Sequence, residues 1–411
     1  MRVLHIITGL GVGGAEQQLR LLLRHLPTPC DVVTLTNPGT VAEGITADGV
    51  RVTDLAMSGN RDVTALPRLV RLIRDGRYDV VHTHLYRACL YGRIAARLAG
   101  VRAVVATEHS LGNSQMEGRP LGPGVRALYL AGERLGRMTV AVSPAVGARL
   151  HRWGVPRRRI RVVPNGIEVE RFRFDQAARD RTRKQLDLPD GAFVVGGVGR
   201  LAAGKRFDVL LRAAAALPED VVVLLVGSGP EETALRQLAV RLGLANRVRF
   251  AGESTHESAT RAAGPGPAPG SGDGGGAVDS APDLADSVPD LADSVPDLPS
   301  LLSAMDALAS PSPEEAFGLA LVEGLASGLP VLYASCPALE SLAPGERPGA
   351  AYCPSDPASF ARALHGLRGD VPPHRSAPAA VRHYSITRSA EQLMGVYASL
   401  VPGPTPEVNP R

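Results

Sequence analysis

Residues 313–324 read Pro-Glu-Glu-Ala-Phe-Gly-Leu-Ala-Leu-Val-Glu-Gly. Glu315 and Glu323 flank Phe317-Gly318, and Gly328 and Pro330 follow where a helix would stop. Ahead of the stretch, Ala307-Leu308-Ala309 is a short apolar run closed by Ser310-Pro311-Ser312-Pro313. The pattern predicts strand, turn, then a helix starting near Gly318. The first N–H groups of such a helix have no internal partner and suit a phosphate. A carboxylate just before the helix repels that phosphate unless it bonds something else, such as sugar hydroxyls. Glu323, about a turn inside, reaches a second hydroxyl pair. Together they suit a diphosphate with a sugar at each end, although two such glutamates also arise by chance on solvated helices.

Outward from this stretch, 411 residues with 44% apolar content predict two globular domains. A net charge of +4 marks no nucleic-acid surface. Lys184 and Lys205 are the only lysines; the Arg bias, with abundant Ala, Gly and Pro, points to a GC-rich bacterial genome. Cys30, Cys89, Cys336 and Cys353 are scattered, which predicts free thiols in a reducing cytoplasm. The run Val3 to Ile7 is too short for a signal core or a span, and no later run reaches spanning length. A soluble or peripheral protein is expected.

Val3 to Ile7 reads as a buried parallel strand, then Gly9-Leu10-Gly11-Val12-Gly13-Gly14 and an amphipathic helix from Ala15 to His25. The glycines form a literal dinucleotide fingerprint, so an NAD(P)-dependent Rossmann oxidoreductase stands as an alternative. It wants a carboxylate after the second strand, where Thr36-Asn37 stands instead. His82 and His84 close a strand from Tyr78, and Glu108-His109 closes another from Val101. Ligands bind at such carboxyl ends. No His/Cys/Asp spacing there argues for a metal. Between Arg119 and Arg137, Leu128, Leu130 and Leu135 allow a helix lying on an anionic membrane, or merely a solvated face. Thr139 to Val142 is a further strand, Ser143-Pro144 starts a helix, and a linker is expected through about Asp180.

Phe193 to Val198 opens a second set of strands, followed by Gly199-Arg200-Leu201-Ala202-Ala203-Gly204-Lys205. Val221 to Val226 leads to Gly227-Ser228-Gly229-Pro230, a helix from Glu231 to Leu242, and Val248 to Phe250. Residues 254–293 are mostly Gly, Pro, Ala, Ser and Asp with no Phe, Tyr or Trp, a composition that cannot offset its ordering entropy. Seven-residue copies there, such as Ser-Val-Pro-Asp-Leu-Ala-Asp, read as duplications of the helix entry at Val295 inside a disordered insert. A last helix spans Ser385 to Leu400.

Glu315-x7-Glu323 with Phe317-Gly318, Gly13-Gly14-Ala15-Glu16, Thr107-Glu108-His109 and Gly199-Arg200…Lys205, in this order, resemble retaining GT-B glycosyltransferases of the family-4 type. The resemblance covers nearly the whole chain outside the insert and the last dozen residues. It implies an α/β GT-B fold, two Rossmann-like domains facing a cleft: 1–172 on the acceptor side, 173–382 on the nucleotide-sugar side, and 383–411 crossing back. It implies Glu323 on the ribose, Glu315 and His109 at the donor sugar, and Phe317, Gly318 and Leu319 amides on the phosphate. Arg200 and Lys205 would clamp the diphosphate, and Gly14 would let the backbone approach it. No metal or cofactor is implied; the donor is a UDP- or GDP-type sugar and the acceptor a carbohydrate, lipid-linked or small molecule. Ser335 to Glu340 lacks the glycines usual after Ala334, which leaves a non-catalytic GT-B subunit as another alternative.

Overall fold

The computed structural model describes residues 1–59, 62, 64–112, 122–254, 295–369 and 375–401, with the backbone alone of two short strands at 115–116 and 119–120. The disordered insert expected at 254–293 lies, save Ser254, outside the described residues. Its two flanks meet: the Ser254 hydroxyl donates to the Pro296 carbonyl at 2.8 Å.

The first half holds β1 (Val3–Ile7), β2 (Cys30–Thr34), β3 (Arg51–Asp54), β4 (Val80–His84), β5 (Ala103–Glu108), the hairpin β6 (Gln115–Met116) and β7 (Arg119–Pro120), β8 (Met138–Ala141) and β9 (Ile160–Val162). All but the hairpin form one parallel sheet, ordered β3-β2-β1-β4-β5-β8-β9. The second half holds β10 (Phe193–Val198), β11 (Val221–Val226), β12 (Val248–Phe250), β13 (Ala307–Ser310), β14 (Val331–Tyr333) and β15 (Ala350–Tyr352). These form a parallel sheet ordered β12-β11-β10-β13-β14-β15. Runs such as Val221-Val-Val-Leu-Leu-Val226 are apolar on both faces because helices cover both. Each is a Rossmann-like layer whose strand order reverses beside its first strand, between β1 and β4 and between β10 and β13. A crevice opens at such a reversal, at the carboxyl ends of the strands.

The linker expected through Asp180 is corrected. Asp175 accepts from the Ala177 and Ala178 N–H groups and caps a helix, Gln176–Gln185. Arg179 and Arg183 of that helix both reach Asp306, tying it to the second domain. Its nearly all-polar sequence hid it; the Asp cap was the available signal.

The terminal helix, Ile386–Ala398, packs on the first domain. Ile386, Ala390, Leu393, Val396 and Tyr397 share a core with Val3, Val80, Val105 and Val140. Burial of aliphatic side chains such as Ile386, Leu393 and Val396 is worth roughly 1.5–3 kcal/mol each. The crossing is tight: Ile167 donates to the Tyr384 carbonyl at 2.7 Å, and Ile386 donates to the Ile167 carbonyl at 3.0 Å. A Cβ on Gly166 would overlap the Ile386 backbone, which explains a glycine in Pro164-Asn165-Gly166. Among the described residues no helix is long and apolar enough to cross a membrane. Leu128 is exposed, but Leu130 packs on the core and Leu135 is half-buried, so the face suggested for a membrane shrinks to one leucine.

Candidate active site

Two loops build the second-domain side. After β10 the chain turns at Gly199, whose φ of 143° suits glycine. A Cβ on Gly227 would overlap the Gly199 carbonyl, and one on Gly229 the Leu201 carbonyl. The glycines after β11 therefore let the two loops lie against each other. A 3-10 turn, Ala203–Lys205, follows, and the next helix starts at Phe207. From the neighbouring strand β13, the Ser312 hydroxyl donates to the Gly204 carbonyl at 3.2 Å. The Lys205 Nζ then meets Glu315 Oε1 at 2.5 Å. Two motifs 110 residues apart thus converge at the strand-order reversal, still partly open to solvent (32% and 14% exposed). Arg200 is exposed at the same sheet end and engages no carboxylate among the described residues.

Past Glu315 the helix runs Leu319–Ala326, capped by Gly318 with φ 94°. A side chain at Gly318 would meet Cys336 Sγ. The Ser335–Glu340 segment that lacks glycines is a prop for this turn: Ala338 donates to the Phe317 carbonyl at 3.0 Å, and the Cys336 N–H donates to Glu340 Oε1 at 2.8 Å. The Phe317 ring is buried edge-on against Tyr384, centroids 5.3 Å apart.

Glu323, which the resemblance places on the ribose, is buried, only 3% exposed. Leu319 and Glu323, one turn apart, face a slot of about 30 Å³ lined also by Gln17, Arg24, Gly166 and Arg171. Burial pushes the Glu323 carboxyl up to about 8, with Arg171 opposing. The folded form therefore holds a proton that the unfolded chain releases above 4.5, so this stability is complete below about pH 4.5 and is lost as pH rises through 8. Glu323→Gln, an isostere of the protonated acid, is expected to flatten that decline, whose ceiling is about 5 kcal/mol. Urea unfolding near pH 5 and near pH 8 measures it; an unchanged slope would refute the assignment.

On the first-domain side, the glycine loop after β1 is pinned to the loop after β2: Leu10 donates to the Asn37 carbonyl at 3.0 Å, and Val41 to the Leu10 carbonyl at 3.2 Å. The helix starts at Gly14, where a Cβ would meet nothing within 4 Å, so open space lies over it. His5, opposite His82 in the register, His84 and His109 form a row of imidazoles. His82 is satisfied on both sides, Nδ1 to the Tyr397 hydroxyl at 2.6 Å and Nε2 to Thr107 Oγ1 at 2.7 Å. His5, His82 and His84 place nitrogens within 4.8 Å of one another, close enough for an ion, but both nitrogens of His82 and of His84 are in hydrogen bonds.

Ser143, read from sequence only as a helix start, and Arg149, not singled out there, join the halves. Ser143 Oγ accepts from the Val146 N–H as a helix cap and donates to the Ala316 carbonyl at 2.6 Å. Arg149, further along the same helix, donates to the Leu111 carbonyl at 3.0 Å and the Glu315 carbonyl at 3.5 Å. The carboxyl ends of the two sheets therefore face each other across residues 314–316.

The sequence profile of Glycosyltransferase Family 4 matches residues 12–171, and two profiles of Glycosyl transferases group 1 match 178–261 and 270–370. A D-inositol 3-phosphate glycosyltransferase of Salinispora arenicola is 30% identical over 355 residues, 79% of this chain and 70% of the relative. The chain belongs to glycosyltransferase family 4. The Salinispora tropica relative of the same name is also 30% identical, and the chain spans 65% of its length. Among solved structures, Anabaena HepE in complex with UDP-glucose matches this family 4 chain with a TM-score of 0.75 at 21% identity, covering 97% of this chain and all of that one. Sucrose-phosphate synthase from Thermosynechococcus elongatus matches at 0.71 and 20%, covering 97% and 99%. The fold is GT-B. Family membership leaves the oxidoreductase reading of the Gly9–Gly14 loop without support.

Proposed function

We propose that the protein transfers a sugar from a nucleotide-diphosphate-sugar donor to a hydroxyl of a carbohydrate, lipid-linked or small-molecule acceptor, with retention and without a bound metal or other cofactor. The observation that carries this reading is the Lys205–Glu315 pair at the strand-order reversal, beside a helix N-terminus. Cleaving a sugar–phosphate bond leaves negative charge on the departing oxygen, and fixed cations and N–H dipoles stabilise that charge as it develops. Lys205 and Arg200 supply the cations, and the N–H groups of Phe317, Gly318 and Leu319 the dipoles. Donor phosphate draws Lys205 from Glu315, freeing that carboxylate for the sugar hydroxyls. Glu323 takes the ribose once the slot widens, and His109 stands at the donor sugar, with Gly14 leaving room above. The similarity to inositol-phosphate glycosyltransferases and to a UDP-glucose complex supports an NDP-sugar donor. A cytoplasmic location follows from such a donor.

Donor hydrolysis or transfer by pure protein, followed by NMR of the product anomer, tests the reading. Excess EDTA is expected to leave turnover nearly unchanged; complete loss restored only by Mg²⁺ or Mn²⁺ would overturn the metal-free mechanism.

A further inference from the structure

The peptide planes leading into the helix Leu319–Ala326 are each held by their carbonyl. The Glu315 carbonyl accepts from Arg149 at 3.5 Å, Ala316 from the Ser143 hydroxyl at 2.6 Å, Phe317 from the Ala338 N–H at 3.0 Å, and Gly318 from the Leu321 N–H at 3.1 Å. No described residue accepts from the N–H groups of Ala316, Phe317 or Gly318, and Ala316 and Gly318 are partly exposed. The peptide bonds are trans. In a planar trans peptide the C=O and the next residue's N–H point opposite ways, so fixing the carbonyl fixes the N–H behind it. A carbonyl that accepts a hydrogen bond also polarises that N–H and makes it a better donor.

Of the three N–H groups assigned above to the donor phosphate, those of Gly318 and Leu319 are aimed by contacts inside the second domain. That of Phe317 is aimed from the first domain, through Ser143 and the Ala316 carbonyl. The direction of this contact is fixed by its chemistry: a carbonyl only accepts, so the hydroxyl donates. The same hydroxyl oxygen accepts from the Val146 N–H, which holds Ser143 at the start of its helix while it reaches across. Arg149, on that helix, steadies the preceding peptide, and its guanidinium lies 3.8 Å from the Glu314 carboxylate. A guanidinium likewise only donates.

We propose that Ser143 and Arg149 are positioning residues: from the first domain they set the peptide planes of residues 315–317, and so aim the Phe317 N–H at the phosphate of the bound donor. The last clause rests on the nucleotide-sugar reading above; the hold on the peptides does not. The phosphate site of the second domain is then complete only while the first domain touches residues 314–316.

Carbonyl-¹³C alanine combined with ¹⁵N-phenylalanine singles out Ala-Phe peptides, of which the chain has two, Ala192-Phe193 and Ala316-Phe317. A carbonyl–amide correlation spectrum of the full chain therefore holds two signals, the first serving as a reference. A hydrogen bond moves a carbonyl carbon downfield. Ser143→Ala is expected to move the Ala316 signal upfield and leave Ala192 in place, whereas Ser143→Thr, which keeps the hydroxyl, leaves both. An Ala316 carbonyl unmoved in Ser143→Ala would refute the hold, with or without a donor. Calorimetric titration with UDP, GDP, ADP and dTDP reads the second clause. For the nucleotide that binds wild type, Kd is expected to rise about tenfold in Ser143→Ala and in Arg149→Met, the scale of one hydrogen bond. Ser143→Thr should bind it as wild type does. Loss of a helix cap alone lowers the unfolding temperature and leaves Kd unchanged; that result would make Ser143 merely structural and overturn the proposal. If Ser143→Ala fails to fold, the affinity of Arg149→Met decides. Weaker binding in Lys205→Ala but not in Ser143→Ala or Arg149→Met would sink the positioning role and leave the nucleotide-sugar reading standing. A moved Ala316 signal in a protein that ignores all four nucleotides would sink that reading and leave the hold intact.

Discussion

Lys205→Ala lowers kcat/KM by on the order of a hundredfold or more, the loss seen when one preorganised electrostatic donor is removed. The Nζ lies 2.5 Å from Glu315 Oε1, so truncation removes the cation and leaves a largely buried carboxylate unpaired where the donor phosphate arrives. Both effects fall on the departing diphosphate. Lys205→Arg is expected to rescue little, because a planar fork does not replace a compact ammonium in a turn this short. Both variants should fold, since the residue is a third exposed and outside the apolar cores. Steady-state kinetics over several donors decides the matter. Wild-type kcat/KM in Lys205→Ala would remove Lys205 from the site.

Acid is expected to destabilise the protein before its carboxylates protonate. Burial lowers His5 to about 3 and His109 to about 4, and holds His82 and His84 well below 6.5. These groups are depressed, so their stability is present above 6.5 and lost as pH falls, because the unfolded chain takes up protons that the folded one refuses. His5 and His109 each cost about 3 kcal/mol between pH 6.5 and about 4.5, and His82 and His84 act in the same direction. Glu323, shifted the other way, returns about 3 kcal/mol over the same range. A net loss is therefore expected, against a typical domain stability of about 5–15 kcal/mol. Urea midpoints measured between neutral pH and about pH 4.5 should fall. A midpoint unchanged over that range would mean that the imidazole row is hydrated or charged.

The elements legible in the sequence were those with a local physical cause. Continuous apolar runs gave β1, β4, β10 and β11, and the helix at Leu319 followed from Phe317-Gly318 and Gly328. β3, Arg51-Val-Thr-Asp54, was not legible because it is an edge strand with neither face fully buried. The helix Gln176–Gln185 lacks an apolar face strong enough to read. For the site, Lys205 and Glu315 were singled out separately, and only the packing of loops after β10 and β13 revealed that they pair. The burial of Glu323 was not legible because it lies against residues 166–172 and the helix Gly14–His25, neighbours no local pattern encodes. His5 looked like one polar residue in a strand; its meaning depends on the register of β1 with β4. Likewise, the His82–Tyr397 contact spans 315 residues.

The central claim is that the loops carrying Lys205 and Glu315 hold a nucleotide-diphosphate sugar. The most direct measurement is thermal unfolding of wild type and Lys205→Ala, in EDTA, against UDP-, GDP-, ADP- and dTDP-sugars. A ligand that binds the native state alone raises its unfolding temperature, with about 3 kcal/mol gained at a hundred times Kd. At least one donor should stabilise wild type strongly and the variant little. No shift with any donor, or equal shifts in both proteins, would contradict the account.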